Sequence, residues 1–165
     1  MKEIIFFLED DEALAKNIKL MIEYAPAYEV VHFTNGKDAL AYAQHTEPDL
    51  VICDITMPGM NGYEFYEIFR NLGYYNVPFL FLTGSDSYND IRKGMNLGAD
   101  DYLVKPVPIL DLLKAIKVRL KKSAKIENKY LGVTEELKKE IEKRDELLKN
   151  LNVEKPEQPT HNYDN

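Results

Sequence analysis

Five short apolar runs, at about residues 3–8, 28–33, 49–54, 77–83 and 101–104, alternate with stretches of a different period. A short apolar run bounded by charged or turn residues reads as a buried strand. In the intervening stretches apolar residues return every three or four positions, the spacing of one buried helix face. The sets are Leu14, Ile18, Met21 and Ile22; Ala39, Leu40 and Ala43; Phe65, Phe69 and Leu72; Ile91 and Met95; and Leu110, Leu113, Ile116 and Leu120. Turn residues fall between the elements: Asn35-Gly36, Gly59 to Gly62, Gly73, Gly98 and the Pro106/Pro108 pair. Strict β-α alternation predicts parallel strands joined by crossover helices. The expected fold is therefore α/β: a doubly wound five-stranded parallel sheet with helices on both faces, plus a C-terminal helical extension.

The character of the chain changes after about residue 122. Residues 1–122 are expected to form one domain, and residues 123–165 a helical extension with a polar tail. Within the extension, Thr134 reads as an N-cap followed by Glu135 and Glu136, predicting a helix at about 134–151. Glu135–Lys139, Glu140–Arg144 and Asp145–Lys149 are spaced to support it. The last dozen residues, with Pro156 and Pro159 among polar neighbours, predict disorder.

Composition narrows the class of function. The formal net charge is −7 and neither part of the chain is basic, which argues against a nucleic-acid partner. No apolar stretch reaches membrane-spanning length, and the N-terminal run is too short for a signal peptide. Cys53 is the only cysteine, which excludes an internal disulfide and suits a reducing cytoplasm.

Polar groups collect at the predicted strand ends. Glu9-Asp10-Asp11 follows the first run, Asp54 ends the third, Thr83 ends the fourth and Lys105 follows the fifth. Ligands of open α/β sheets bind beyond the carboxyl ends of the strands, and an order 2-1-3-4-5 would make the contributing strands neighbours. Clustered carboxylates persist around a proton or a cation, and an all-oxygen donor set suits Mg²⁺. A metal-binding acid cluster, a hydroxyl and an ammonium together form a kit for phosphoryl transfer onto a carboxylate.

Four segments carry a resemblance: Phe7-Leu8-Glu9-Asp10-Asp11; Asp54-Ile55-Thr56-Met57-Pro58-Gly59-Met60-Asn61-Gly62; Leu82-Thr83-Gly84; and Gly98-Ala99-Asp100-Asp101-Tyr102-Leu103-Val104-Lys105-Pro106. Together they make residues 2–122 resemble the receiver domain of bacterial two-component response regulators, of the chemotaxis-regulator type. The resemblance implies the strand order 2-1-3-4-5. It also implies that Asp54 is the phosphoacceptor, becoming a 4-aspartylphosphate in a phosphorelay. Mg²⁺ would be held by Asp10 directly, by Glu9 through water, by Asp54 and by the backbone carbonyl of Thr56. Thr83 would donate its hydroxyl to the phosphoryl group, Gly84 its backbone N–H and Lys105 its charge. The Lys105–Pro106 peptide is expected to be cis, and Thr83 and Tyr102 to act as the conformational switch. The acidic pair aligns with Glu9 and Asp10, leaving Asp11 as the start of the first helix.

The resemblance implies a histidine kinase or histidine phosphotransfer protein as donor and a downstream protein as target. The helix at 134–151, with the face of the fourth helix, fifth strand and fifth helix, is the expected self-association surface of a weak or phosphorylation-dependent homodimer, and Arg144 and Glu140 at would-be seam positions argue against a strong constitutive coiled coil. An alternative for the output is a receiver belonging to a larger hybrid kinase or multidomain regulator. The chain is not expected to turn over substrates as an enzyme. A phosphatase of the haloacid-dehalogenase type would need a second carboxylate two residues beyond its nucleophile, where Thr56 stands. A flavin site would need a phosphate-cradling loop where this chain has acids. A pseudo-receiver is disfavoured because every site position holds a competent residue. Cys53 is expected to face the core, and His32, His45 and His161 form no set.

Overall fold

The computed structural model describes residues 1–84, 92 and 95–150. The elements run in the order β1 (Glu3–Leu8), α1 (Glu12–Glu23), β2 (Tyr28–Phe33), α2 (Gly36–Ala43), β3 (Leu50–Asp54), α3 (Gly62–Asn71), β4 (Phe79–Thr83), β5 (Asp101–Val104) and α4 (Ile109–Asn150). Of the helical stretch expected around Ile91 and Met95, Arg92, Met95 and Asn96 are described and helical; the remainder and the tail beyond 150 lie outside the described residues. The five strands form one parallel sheet in the order β2-β1-β3-β4-β5.

The period of two along each strand builds two cores. Phe6, Leu8, Val51, Cys53, Phe79 and Phe81 pack against Ala39 and Ala43 of α2 and Phe65 and Phe69 of α3. Ile5, Phe7, Leu50, Ile52, Leu80 and Leu82 face Ala15 and Ile22 of α1 and Leu112, Ile116 and Leu120 of α4. A strand buried on both faces has no polar side to display, which is why these runs read as continuous rather than alternating. β4 starts later than the expected residue 77. Pro78 has no N–H to donate to a ladder, although its carbonyl accepts from Val51 N at 2.9 Å.

The helix faces differ in phase from two of the expectations. In α4 the buried row is Leu112, Ile116 and Leu120, while Leu110 is 76 % exposed. In α1 Ala15 and Ile22 are buried, and Met21 is exposed. Adjacent apolar residues make two neighbouring faces equally apolar in sequence, and only the sheet decides between them.

The chain divides into two compact units, Met1–Ala124 and Lys125–Asn165. The helix expected at 134–151 is corrected: α4 is continuous from Ile109 to Asn150, and Thr134 lies inside it. Its hydroxyl donates to Tyr130 O at 2.9 Å instead of capping a helix start. Lys, Glu and Leu dominate this stretch, and Gly132 costs only about 1 kcal/mol. Stopping and renucleating a helix is more expensive than carrying that glycine. Among the described residues of 125–150 the ion pairs are Lys138–Glu135 and Arg144–Asp145 in place of the three i,i+4 pairs expected. Among the described residues no helix is long and apolar enough to cross a membrane.

Candidate functional site

Sheet register brings the polar strand ends together. Leu8 pairs with Cys53, Asp54 with Leu82 and Thr83 with Val104, so Glu9, Asp54, Thr83 and Lys105 gather at one edge. Glu9, Asp54 and Thr83 are all buried there, an unusual state for carboxylates that demands compensation.

Lys105 supplies it. Its Nζ lies 2.5 Å from Glu9 Oε2 and 3.1 Å from Asp54 Oδ2, tying the segment after β5 to the residue that follows β1 and to the last residue of β3. The lysine is held by its backbone, whose N–H donates to Thr83 O at 2.6 Å. The Lys105–Pro106 peptide is cis as expected. Burial raises the Glu9 carboxyl above its usual range, with the Asp54 charge adding to the rise and the Lys105 contact opposing it. Burial alone would lower the Lys105 ammonium, but its hydrogen bonds to Glu9 and Asp54 prevail and raise it.

Glu9, Asp10 and Asp54 each offer an oxygen within 4.8 Å of the others, with Asp10 the exposed member. Three carboxylate oxygens and no sulfur or imidazole are a hard-cation donor set, so the residues fit Mg²⁺. Asp11 stands apart: its Oδ1 accepts from Ala13 N and Leu14 N at 3.0 Å each, capping α1. Thr56 is exposed, and its N–H donates to Asp54 Oδ1 at 3.3 Å. Gly84 is exposed immediately after Thr83.

Tyr102 does not join the carboxylate cluster. It is half-buried on β5, opposite Phe81, and therefore on the same face as Thr83 two residues further along. Its hydroxyl is 3.5 Å from that of Tyr63. Cys53 faces the α2–α3 core as expected, and burial pushes its thiol well above the usual range.

Two contributors were given no role at the site by sequence reasoning. His32, opposite Phe7 on β2, places Nε2 2.8 Å from Glu9 O. The carbonyl can only accept, so Nε2 carries the proton and donates, anchoring the backbone of an acidic residue. A histidine on the strand beside β1 was the available signal. Gly62 is the second: a Cβ there would fall 2.4 Å from Asp54 O and 2.9 Å from Ile55 Cα. Its N–H donates to Ile55 O, and Asn61 caps α3 in a reciprocal box with Glu64. The glycine thus lets α3 begin directly against the end of β3, behind Asp54.

A doubly wound sheet with buried carboxylates and a lysine at its carboxyl edge defines an α/β protein equipped to hold a cation beside an anionic group. The model of the response regulator receiver domain matches residues 5–117, and the chain belongs to that family. The transcriptional regulatory protein PcoR of Escherichia coli is 32 % identical over 120 residues, 72 % of this chain and 52 % of that protein. The regulatory protein VanR of Enterococcus faecium is 32 % identical over 136 residues, 82 % of this chain and 56 % of its own length. The chain thus spans about half the length of these curated relatives. A response regulator receiver domain protein (CheY-like) from Methanospirillum hungatei JF-1 superposes with a TM-score of 0.70 at 30 % identity, covering 76 % of this chain and 98 % of that one.

Proposed function

We propose that the chain is a phosphorylation switch in which Asp54 accepts a phosphoryl group from a histidine kinase, a histidine phosphotransfer protein or a small phosphodonor. The observation that carries this reading is Lys105 bridging Glu9 and Asp54 at the carboxyl edge of the sheet. An Asp54 carboxylate oxygen attacks phosphorus, the bond from phosphorus to the donor's nitrogen or oxygen breaks, and the donor leaves with that electron pair. Glu9, Asp10, Asp54 and the Thr56 carbonyl are the residues that would hold Mg²⁺, which when bound supplies positive charge to the phosphoryl oxygens. Lys105 neutralises charge on the transferred group, the Thr83 hydroxyl and Gly84 N–H donate to its oxygens, and burial of Asp54 restricts water.

Residues 1–122 act as the receiver and 123–165 as an appended helix and tail, in a cytoplasmic protein that contacts neither membrane nor nucleic acid. Drawing Thr83 toward the phosphoryl group alters its face of the sheet, where Tyr102 also lies, and so changes what a downstream protein meets. Phosphorylation-dependent self-association through this face belongs to the same reading. Substrate turnover is not part of it, since Thr56 stands where a phosphatase of the haloacid-dehalogenase type needs an acid. A second reading of the output, a receiver within a larger hybrid kinase or multidomain regulator, is supported by the greater length of the relatives. Intact mass after incubation with acetyl phosphate and Mg²⁺ tests the central claim. One added phosphoryl group is expected; the same adduct on Asp54→Asn would overturn the assignment.

A further inference from the structure

The continuity of α4 aligns side chains that a break at Thr134 would have left out of phase. At 3.6 residues per turn, Ile126, Tyr130, Val133, Leu137 and Ile141 fall within an arc of ~80°. All five are exposed, from 41 % at Ile126 to 66 % at Tyr130. The stripe passes through Ile141, which leaves Glu140 on its flank, and it ends at Arg144. An exposed helix that also contains Gly132 has little besides intrinsic propensity to hold it, so covering this stripe would stabilise it.

The charges beside the stripe say what covers it. About 60–120° to one side lie Lys129, Glu136, Glu140 and Lys143, reading plus, minus, minus, plus. About 80–100° to the other side lie Glu127, Lys138 and Asp145, reading minus, plus, minus. In a parallel in-register pair, opposite flanks of the two chains meet. Lys129 then faces Glu127, Glu136 and Glu140 face Lys138, and Lys143 faces Asp145, all within ~3 Å of the same height. In an antiparallel pair overlapped over the same stripe each flank meets itself, and Lys129 then faces Glu136 and Glu140 while Glu127 faces Lys138, again within ~3 Å, so this surface is complementary to its own copy in either orientation. The in-chain pairs Lys138–Glu135 and Arg144–Asp145 are exposed, and such pairs exchange partners at little cost.

We propose that the stripe from Ile126 to Ile141 binds a second copy of this chain as a two-stranded pair, whether or not the receiver is phosphorylated. Five apolar layers make a short seam, so the association is weak and concentration-dependent. Sedimentation of the full chain without phosphodonor or Mg²⁺ is expected to show a monomer–dimer equilibrium. Leu137→Glu should weaken it at least tenfold while the cooperative thermal transition of the receiver unit stays unchanged. Val133→Cys should form an inter-chain disulfide in oxidised glutathione, whereas the wild type, with Cys53 buried, should not. A Glu136→Lys/Glu140→Lys variant should lose the dimer in either orientation, because these two positions face Lys138 in one and Lys129 in the other. Three results would overturn the proposal: a chain that stays monomeric at the highest concentration reached, which would assign the stripe to a different protein; dimers that survive Leu137→Glu, which would place the contact on another face; and dimers in which Val133→Cys does not cross-link, which would exclude a pair overlapped over this stripe.

Discussion

Gly62 approaches the main chain of Asp54 so closely that a Cβ would sit 2.4 Å from the Asp54 carbonyl oxygen. The obstruction is backbone, which cannot swing aside, so Gly62→Ala must push α3 away from the end of β3. Overpacking of this kind costs about 1–3 kcal/mol. Urea unfolding should show that loss, and acetyl phosphate labelling of Asp54 should slow. Full wild-type stability would mean that α3 can shift without strain.

Asp10 and Asp11 are neighbours with different work. Asp10 belongs to the carboxylate cluster, and Asp11 caps α1. Asp10→Ala should abolish Mg²⁺ binding in a metal titration with little change in stability. Asp11→Ala should retain the metal and lose about 0.5–2 kcal/mol, the value of an N-cap. Equal losses of metal affinity would refute the division.

Lys105 compensates two buried carboxylates, so Lys105→Ala should destabilise the metal-free protein by about 1–3 kcal/mol at neutral pH. The sign with pH follows from Glu9, whose folded-state carboxyl titrates above its unfolded value because it is buried. A raised carboxyl favours folding most below the unfolded pKa, and that contribution disappears as pH rises through the folded one. Removing the lysine raises the carboxyl further. The stability gap between variant and wild type should therefore narrow as pH falls into the acid range, where Glu9 becomes neutral. Denaturant titrations across that range would expose an error if the gap stayed constant.

Cys53 is fully enclosed and its thiol is held in the protonated form, first by burial and then by the charges of Asp54 and Glu9. Thiolate is the reactive species. Native protein should resist iodoacetamide and take up one equivalent per chain on unfolding. Rapid labelling of the native protein would contradict this burial.

Much of the fold was legible because it rests on local period. Runs such as Ile4 to Leu8 in β1 and Phe79 to Leu82 in β4 are apolar on both faces, which a buried parallel strand requires. The helical spacing between such runs leaves only crossover connections. The carboxylates of Glu9, Asp10 and Asp54 were legible for a related reason: charge directly after an apolar run has to lie at a sheet edge. Tertiary structure alone decided the rest. Lys105 meets Glu9 across 96 positions of sequence, a contact set by the stagger of β1, β3, β4 and β5. Leu112 rather than Leu110 turned inward because the sheet selected one of two neighbouring apolar faces. Gly62 gained its meaning from the backbone it touches, and Thr134 lost its cap because the helix arriving from Ile109 was already nucleated. Period and charge are local properties that sequence displays; register, helix phase and close approach are relations between distant segments, and they exist only once the chain has packed.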